Sequence, residues 1–553
     1  MKKIFIFAIA LVTLSLTSCQ DFLDVTKEGD YTTDAYFQND QQSIDALKFF
    51  YAKLPTESLY GREICWEQCA TNMYVSGRQR GYKATLFTMN YTGDESPLTD
   101  SFGVIYEQLS RANWVISSLL AKEGKTTLTA IENRTLGEAY FFRAFLHNLA
   151  ACRYGSDKQG VPFVAWESVE GGYNYEIPEQ QASVTDNYAI IIEDLKKAAD
   201  RLPKFETYGA ADRGRAHKAA AYGLMARVYA NWATWDNTQW KNVITAVNDC
   251  EALGRKLEPS YDRLFSCEFE DFWTDEYLFS IPTNGGSTSA AGCMFPCVVF
   301  NNKGYGMGFN GWGQFKPSYD LYEEFLKDGP REENVRLKRT VMAYGDELDY
   351  NGQKFPFFDA NDDEAGFMCA KYLDAFAGGT IKDRQEKGYL GTDDNWPTQR
   401  INYHMLRFAD CVLLRAEANI NLGNAAEAAK DINAIRKRAG LQQNSKGAIE
   451  EIYHERMCEF AFEPGTDHLV DLRRWAVSGK PEIKALAIKE LTTQPRALKH
   501  ASRDDAFSAA TVIEYTDYNG IARTWADYKV AFPYPSAQIA KSNNQLKQNP
   551  GWE

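Results

Sequence analysis

The chain is predicted to be all-α: tetratricopeptide-like helical hairpins forming an alpha-alpha superhelix, with a large loop-rich region set into it. Two patterns and one break in pattern predict this. Apolar residues recur at helical spacing over most of the length, and one stretch joins two such runs across a glycine with small residues on both arms. Between roughly residues 257 and 399 the periodicity disappears.

The first run begins at Asn39 or Asp40, either of which can cap, and carries Ile44, Leu47, Phe50, Tyr51 and Leu54 until Pro55 stops it. Thr99 opens a second, with Phe102, Ile105, Tyr106, Leu109, Ile116 and Leu119 on one face. Leu128 to Arg153 is a third, rich in alanine and aromatics. Thr185 caps a fourth, whose Tyr188, Ile191, Ile192, Leu195, Ala198 and Leu202 end at Pro203, and Arg215 to Trp235 reads as a long alanine-rich helix.

The hairpin is clearest further on. A helix from His404 to Leu422 stops at Gly423, Asn424 caps the next, and Gly440 terminates that one after Arg438 and Ala439. Ala416, Ala418, Ala425, Ala428, Ala429 and Ala434 let the arms approach closely, as in tetratricopeptide repeats of about 34 residues. The repeat is degenerate, so hairpins separated by insertions fit better than a regular array. The expected organisation is one domain over 19–553, with its helical scaffold at about 39–256 and 400–553. The stretch 257–399, crowded with Gly, Asn, Asp, Pro and aromatics, is the expected ligand face, because ordered loops on a rigid scaffold are where binding surfaces are built.

The N-terminus carries Lys2 and Lys3, an apolar run from Ile4 to Leu16, then Thr17, Ser18 and Cys19. This reads as a signal peptide over 1–18 of the type a lipoprotein signal peptidase removes, leaving lipid on Cys19. The run falls short of the roughly 20 apolar residues a spanning helix needs, so the mature chain is expected to be anchored rather than threaded through the bilayer. The formal charge is −14, and losing the two signal lysines makes it two units more negative. Such a balance argues against a nucleic-acid partner, which requires a basic face, and leaves neutral ligands such as sugars untouched. Eleven cysteines include no CxxC pair; Cys65 with Cys69 and Cys293 with Cys297 have neither redox nor zinc-ribbon spacing, so mostly buried thiols are expected.

Glu455, Glu459 and Glu463 lie four apart and form a carboxylate stripe on a helix. With Arg456, Arg473 and Arg474 near in sequence, the stripe reads as a structural ion-pair network rather than a glycosidase acid and base. Asp359, Asn361 and Asp363 begin like a calcium loop, but Glu364 replaces the turn glycine and Ala370 the bidentate glutamate, so an EF-hand is excluded. A looser calcium site built from distant oxygens stays open. His404, His454 and His468 make no zinc motif, and neither a Walker loop nor a nucleophile elbow is found. No cofactor, metal centre or catalytic residue is expected.

Aromatics in loops are the better lead. Sugar rings offer apolar C–H faces with a hydroxyl rim, so flat Trp or Tyr rings supply burial while amides bond the rim. Two places fit: Trp66 to Tyr74, and Tyr305, Phe309 and Trp312 in the glycine-rich stretch Gly304–Gly313, where glycines let loops hold rings exposed. Asn72 and Asn301 are the candidate amides. The candidate glycan contacts are thus Trp66, Asn72, Tyr74, Asn301, Tyr305, Phe309 and Trp312.

Several ordered motifs carry a family resemblance. After Cys19 comes Asp21-Phe22-Leu23-Asp24, then Arg111-Ala112-Asn113, Gly137 to Ala144, Tyr154-Gly155 with Val161-Pro162, and Arg215 to Tyr229. Tyr403 to Asp410, Leu414 to Ala418 and Ile432 to Leu441 follow. The chain closes with Glu455-Arg456, Glu459 to Glu463, Asp471 to Trp475, Phe532 to Pro535 and Gln548 to Trp552. In these motifs the chain resembles the SusD/RagB family of nutrient-binding outer-membrane lipoproteins, over nearly its whole length. It departs from the family pattern at Pro464, Gly465, Thr466, Asp467 and His468.

The resemblance implies a helical body anchored by lipid at the cell surface, sitting as a lid on a SusC-like TonB-dependent transporter. The expected function is non-catalytic capture of oligosaccharide and its delivery to that transporter. A peptide-capturing lipoprotein of the RagB kind, a glycoside hydrolase and a pure assembly scaffold are the alternatives.

Overall fold

The computed structural model describes residues 36–64, 71–76, 84–163, 165–167, 179–268, 271–283, 313, 315–344, 346–350, 353–356, 366–392, 399–500, 510–514 and 521–553. Helices dominate it. The first half holds α1 (Asp40–Lys53), α2 (Ser96–Glu123), α3 (Ala130–Tyr154), α4 (Val184–Arg201), α5 (Lys218–Trp232) and α6 (Trp240–Ala252). After the shorter helices α7 (Tyr319–Leu326) and α8 (Val335–Thr340) and a further short helix at Ile381–Glu386 come α9 (Phe408–Asn421), α10 (Ala425–Arg438), α11 (Ile449–Phe460), α12 (His468–Ala476) and α13 (Pro481–Thr492).

Local chemistry sets these boundaries. The Asn39 side chain accepts from Gln42 N–H at the start of α1. Thr129 and Glu132 form a reciprocal capping box on α3, and Ser183 with Asp186 does the same on α4, so each satisfies two orphan donors. Helix α4 therefore begins before Thr185. Gly423 and Gly440 take φ of 84° and 73°, which closes α9 and α10 at the expected glycines. Asn424 stands in the cap position of α10, but its side chain makes no capping bond.

The helices stack in series, α2 on α3, α3 on α4, α4 on α5 and α5 on α6. The stack then continues from α6 directly to α9, and from α9 to α10, across more than a hundred intervening residues. Helix α3 is the centre: it buries almost every residue, including Phe141, Phe142 and Phe145. These rings meet Phe50 of α1 and Phe279, with Phe50 and Phe142 stacked at 5.1 Å and Phe141 and Phe279 edge-to-face at 5.1 Å.

Short antiparallel ribbons organise the intervening stretch, which the loss of helical period left as loops. Strand β1 (Tyr74–Ser76) pairs with β3 (Phe315–Pro317), and β2 (Tyr277–Ile281) with β8 (Tyr403–Arg407). The others are β4 (Val341–Ala343) with β7 (Phe367–Cys369), β5 (Glu347–Tyr350) with β6 (Gln353–Pro356), and β9 (Arg496–Lys499) with β10 (Thr511–Glu514). The helix expected from His404 is therefore corrected: Tyr403–Arg407 is a strand, and α9 starts at Phe408. All five strand residues are buried, so neither alternation nor a helical stripe marks the change. The β2–β8 pairing ties the point where the chain leaves the helical stack to the point where it returns. Cys250, Cys267, Cys369, Cys411 and Cys458 are buried thiols.

Candidate ligand face and the network beneath it

Of the residues singled out in sequence, Cys19, Trp66, Asn301, Tyr305, Phe309 and Trp312 lie outside the described residues, as do Asp359, Asn361 and Asp363. Asn72 and Tyr74 are described, and both are buried, at 8% and 5% exposure. Their expected roles as surface contacts are corrected on physical grounds. The Tyr74 hydroxyl accepts the Phe462 N–H at 2.8 Å, and the ring lies edge-on to Phe462 at 4.7 Å. Phe462 holds φ at 63°, a costly conformation for a bulky side chain, and its carbonyl accepts from the Tyr372 hydroxyl at 2.8 Å. Two tyrosines thus fix one strained backbone unit.

Asn72 is a junction. Its side-chain oxygen accepts from Arg523 Nη1 at 2.9 Å, its N–H donates to Glu490 at 2.9 Å, and its carbonyl accepts from Ser318 Oγ. The Ser318 N–H donates to the Met73 carbonyl at 2.9 Å, which extends the β1–β3 ribbon by one rung. Residues 71–76, 315–318 and 521–528, remote in sequence, therefore share one root. The two aromatic segments proposed from sequence flank this ribbon in the chain: Trp66 precedes β1, and Tyr305, Phe309 and Trp312 precede β3.

From Arg523 the chain runs outward to Tyr528, 40% exposed, whose ring meets Trp552 edge-on at 4.9 Å. Trp525 is only partly buried, and its indole N–H donates to Asp527 at 3.3 Å. Sequence reading did not single out Arg523, Trp525 or Tyr528, since no periodicity or motif marks them. Ile521 and Val512 are also exposed apolar residues.

Under this region lies the carboxylate stripe of α11 and the turn after it. Arg407 Nε donates to Glu463 Oε2 at 2.6 Å and Arg407 Nη2 to Oε1 at 2.8 Å, while Lys371 Nζ reaches Oε1 at 2.7 Å. Arg407 Nη1 also reaches Glu459 at 2.8 Å and Glu276 at 2.6 Å, and Arg438 bonds both of those glutamates. Glu455 is held by Arg336 at 2.7 Å and Arg436 at 2.5 Å. The stripe is an ion-pair network, as its spacing predicts, but the partners differ from those expected. Arg456 pairs with Asp410 and Asp471, Arg474 with Glu417 and Asp471, and Arg473 with the carbonyls of Arg153 and Val530. On α11 the stripe's neighbours in sequence point away from it, so the cations come from other elements.

The electrostatics follow from this packing. Burial raises the pKa of Glu459, but Arg438, Arg407 and Arg336 outweigh it and bring the carboxyl down to about 2. Glu463 is lowered against its burial by Arg407 and Lys371. A group held ionised in this way cannot donate a proton near neutral pH, so neither fits the general acid of a glycosidase. Glu490, which holds Asn72, also accepts from His468 at 3.0 Å and Tyr453 at 2.7 Å. Burial would lower the His468 pKa, but Glu490 raises it overall.

The departure at Pro464–His468 has a structural reading. Gly465 packs against β8, where a Cβ would sit 2.6 Å from the His404 carbonyl and closer still to Met405. Its own carbonyl accepts from Arg227 at 2.7 Å, and Asp467 caps α12 through Leu469 N–H at 3.0 Å.

Comparison with known proteins gives a consistent result. Residues 275–552 match the model of the SusD family, and residues 21–230 match one described as starch-binding associating with outer membrane. A SusD-like protein of Bacteroides ovatus is 23% identical over 485 residues, covering 83% of this chain and 80% of that protein. The crystal structure of a SusD-like protein from Bacteroides fragilis superposes with a TM-score of 0.71 at 22% identity, covering 94% of this chain and 98% of the other. Surface glycan-binding protein A from Bacteroides thetaiotaomicron, solved with laminarihexaose, superposes with a TM-score of 0.66 at 18% identity, covering 92% and 99%. With the family match spanning half of its length and the helical architecture shared over most of it, the chain belongs to the SusD family.

Proposed function

We propose that this protein is a lipid-anchored, cell-surface lipoprotein of the outer membrane that binds oligosaccharide without cleaving it and delivers it to a SusC-like TonB-dependent transporter. The observation that carries this reading is SusD membership together with a fold neighbour whose solved complex contains laminarihexaose. Lipid on Cys19 supplies location, the helical stack supplies a rigid wall for the transporter, and the loops supply affinity. Trp66, Tyr305, Phe309 and Trp312 are the proposed stacking rings, with Asn301 bonding hydroxyls. Asn72 and Tyr74 act from inside, holding the root from which those segments emerge. Modest affinity suits delivery, since a ligand bound too tightly is not released.

The test is a screen of the chain from Gln20 onward against polysaccharides and peptides by gel retardation and calorimetry. Retention by a glycan with no product released supports the reading. Binding to peptides with silence across all sugars replaces it with peptide capture, and turnover of a bound glycan replaces it with hydrolysis. Delivery is tested separately, by co-purification of the lipidated protein with a β-barrel partner from solubilised outer membranes.

A further inference from the structure

On the flank of the ion-pair network, His454 of α11 stands between two carboxylates. Its Nδ1 lies 2.8 Å from Glu324 Oε1 and its Nε2 3.1 Å from Asp328 Oδ2. Cys458 follows one turn later on the same face of α11 and is fully buried. A ligand atom from each of Asp328, His454 and Cys458 lies within 4.8 Å of the other two.

We infer that Asp328, His454 and Cys458 form a binding site for a divalent zinc-like cation, and three features of the cluster support it. The first is spacing. With zinc about 2.0–2.1 Å from nitrogen or oxygen and about 2.3 Å from sulfur, tetrahedral ligand pairs sit about 3.4 Å apart for N and O and about 3.6 Å apart for N and S. The Nε2–Oδ2 separation of 3.1 Å is already near that edge, and the thiol has at most about 1 Å to close.

The second is orientation. A ligating histidine commonly gives its other N–H to a carboxylate, which fixes the ring and its tautomer, and Glu324 does this at Nδ1. Glu324 is itself held by Lys327 at 2.6 Å. The third is access. Asp328 and His454 line a cleft of about 340 Å³ with Glu324, Tyr453 and Glu451, which gives a path from solvent to two of the three ligands, with Cys458 buried behind them.

The two arginines at Asp328 are compatible with this site. Arg336 donates to Oδ2 at 2.8 Å and Arg436 to Oδ1 at 2.9 Å, while a carboxylate has about four lone-pair positions. The cation takes the position now filled by the His454 proton. Binding exchanges two protons, one from Nε2 and one from the Cys458 thiol, for one cation, and both protons leave to solvent. A mixed set of sulfur, nitrogen and oxygen donors suits zinc over calcium or magnesium.

The test uses Co²⁺ as a coloured probe on the full chain. One equivalent should produce a thiolate-to-cobalt charge-transfer band that Zn²⁺ abolishes, and Cys458→Ala should eliminate the band while His454→Gln weakens binding at least tenfold. No such band at saturating Co²⁺, or an unchanged band in Cys458→Ala, overturns the site. Should Cys458→Ala fail to fold, anomalous diffraction from wild-type crystals grown with one equivalent of Zn²⁺ decides it. A peak among the three side chains confirms the site, and a peak elsewhere or none overturns it. Because no glycan takes part in either experiment, the outcome is independent of the proposed function.

Discussion

Arg407 and Glu463 meet in a two-point pair, Nε to Oε2 at 2.6 Å and Nη2 to Oε1 at 2.8 Å, with both side chains about 1% exposed. Strand β8 contributes the arginine and the turn after α11 the glutamate, so the pair joins the two ends of the run that holds α9, α10 and α11.

Replacing Arg407 with Met keeps much of the volume but leaves Glu463, Glu459 and Glu276 without their shared cation. Breaking a buried pair from one side costs about 3–5 kcal/mol. Urea unfolding of Arg407→Met should show a loss of that size. A change below about 1 kcal/mol would mean that Arg438 and Lys371 alone suffice.

Acid should weaken the same network. Glu459 titrates near 2 in the folded chain against 4.5 ordinarily, and Glu463, Asp410 and Asp471 are also lowered. A depressed carboxyl contributes stability that is present above its unfolded pKa and lost as pH falls through the folded one. The melting-temperature advantage of wild type over Glu459→Gln should therefore be flat just above pH 5 and shrink from about pH 4.5 towards pH 2. A difference independent of pH across that window contradicts the assignment.

His468 carries the opposite sign. Its pKa is raised by Glu490, so its contribution is complete below about 6.5 and fades as pH rises through the folded value. His468→Gln should flatten the stability profile above about pH 6.5, measured as the difference in melting temperature between wild type and variant. Equal slopes for the two proteins would show that the pair with Glu490 does not matter energetically.

The root at Asn72 predicts a separation of affinity from fold. Arg523→Ala leaves the Asn72 side-chain oxygen and the Thr493 carbonyl without this donor, a cost of about 1–3 kcal/mol. The helical stack does not depend on that bond. Glycan affinity measured by calorimetry should fall severalfold while helical circular dichroism is unchanged; unaltered affinity would detach the root from the ligand face.

Stacking rings predict a sharper version of that outcome. In the stacking role proposed for them, Trp66→Ala and Trp312→Ala should each lower glycan affinity with little loss of stability. Should either variant unfold, that tryptophan belongs to the core and is not a ligand contact.

The helical scaffold was legible because its signals are local. Periodicity from Ile44 to Leu54, the glycines at 423 and 440 and the stop at Pro203 all act within a few residues. What failed to show in sequence depends on distant partners. Tyr403–Arg407 becomes a strand because Tyr277–Ile281 pairs with it, and nothing within five buried residues reveals that. Asn72 and Tyr74 looked like loop contacts because asparagine and tyrosine suit a sugar; Arg523 and Phe462, nearly 400 residues or more away, claim them instead. The Glu455 stripe was read correctly as structural, whereas its cations came from Arg336, Arg407, Arg436, Arg438 and Lys371 rather than from its neighbours.

The β2–β8 ribbon brings together the two ends of the segment between Ile281 and Tyr403. Its two ends are hydrogen-bonded neighbours, and the entropy of closing a loop grows only slowly with its length. Insertions between its anchors therefore leave α6 lying on α9, while Arg336, Lys371 and Tyr372 tie the segment itself to α11 and the turn after it. Exchange of the whole segment would strand Glu455 and Glu463 without the cations it supplies, so its length is free to vary only between these buried anchors.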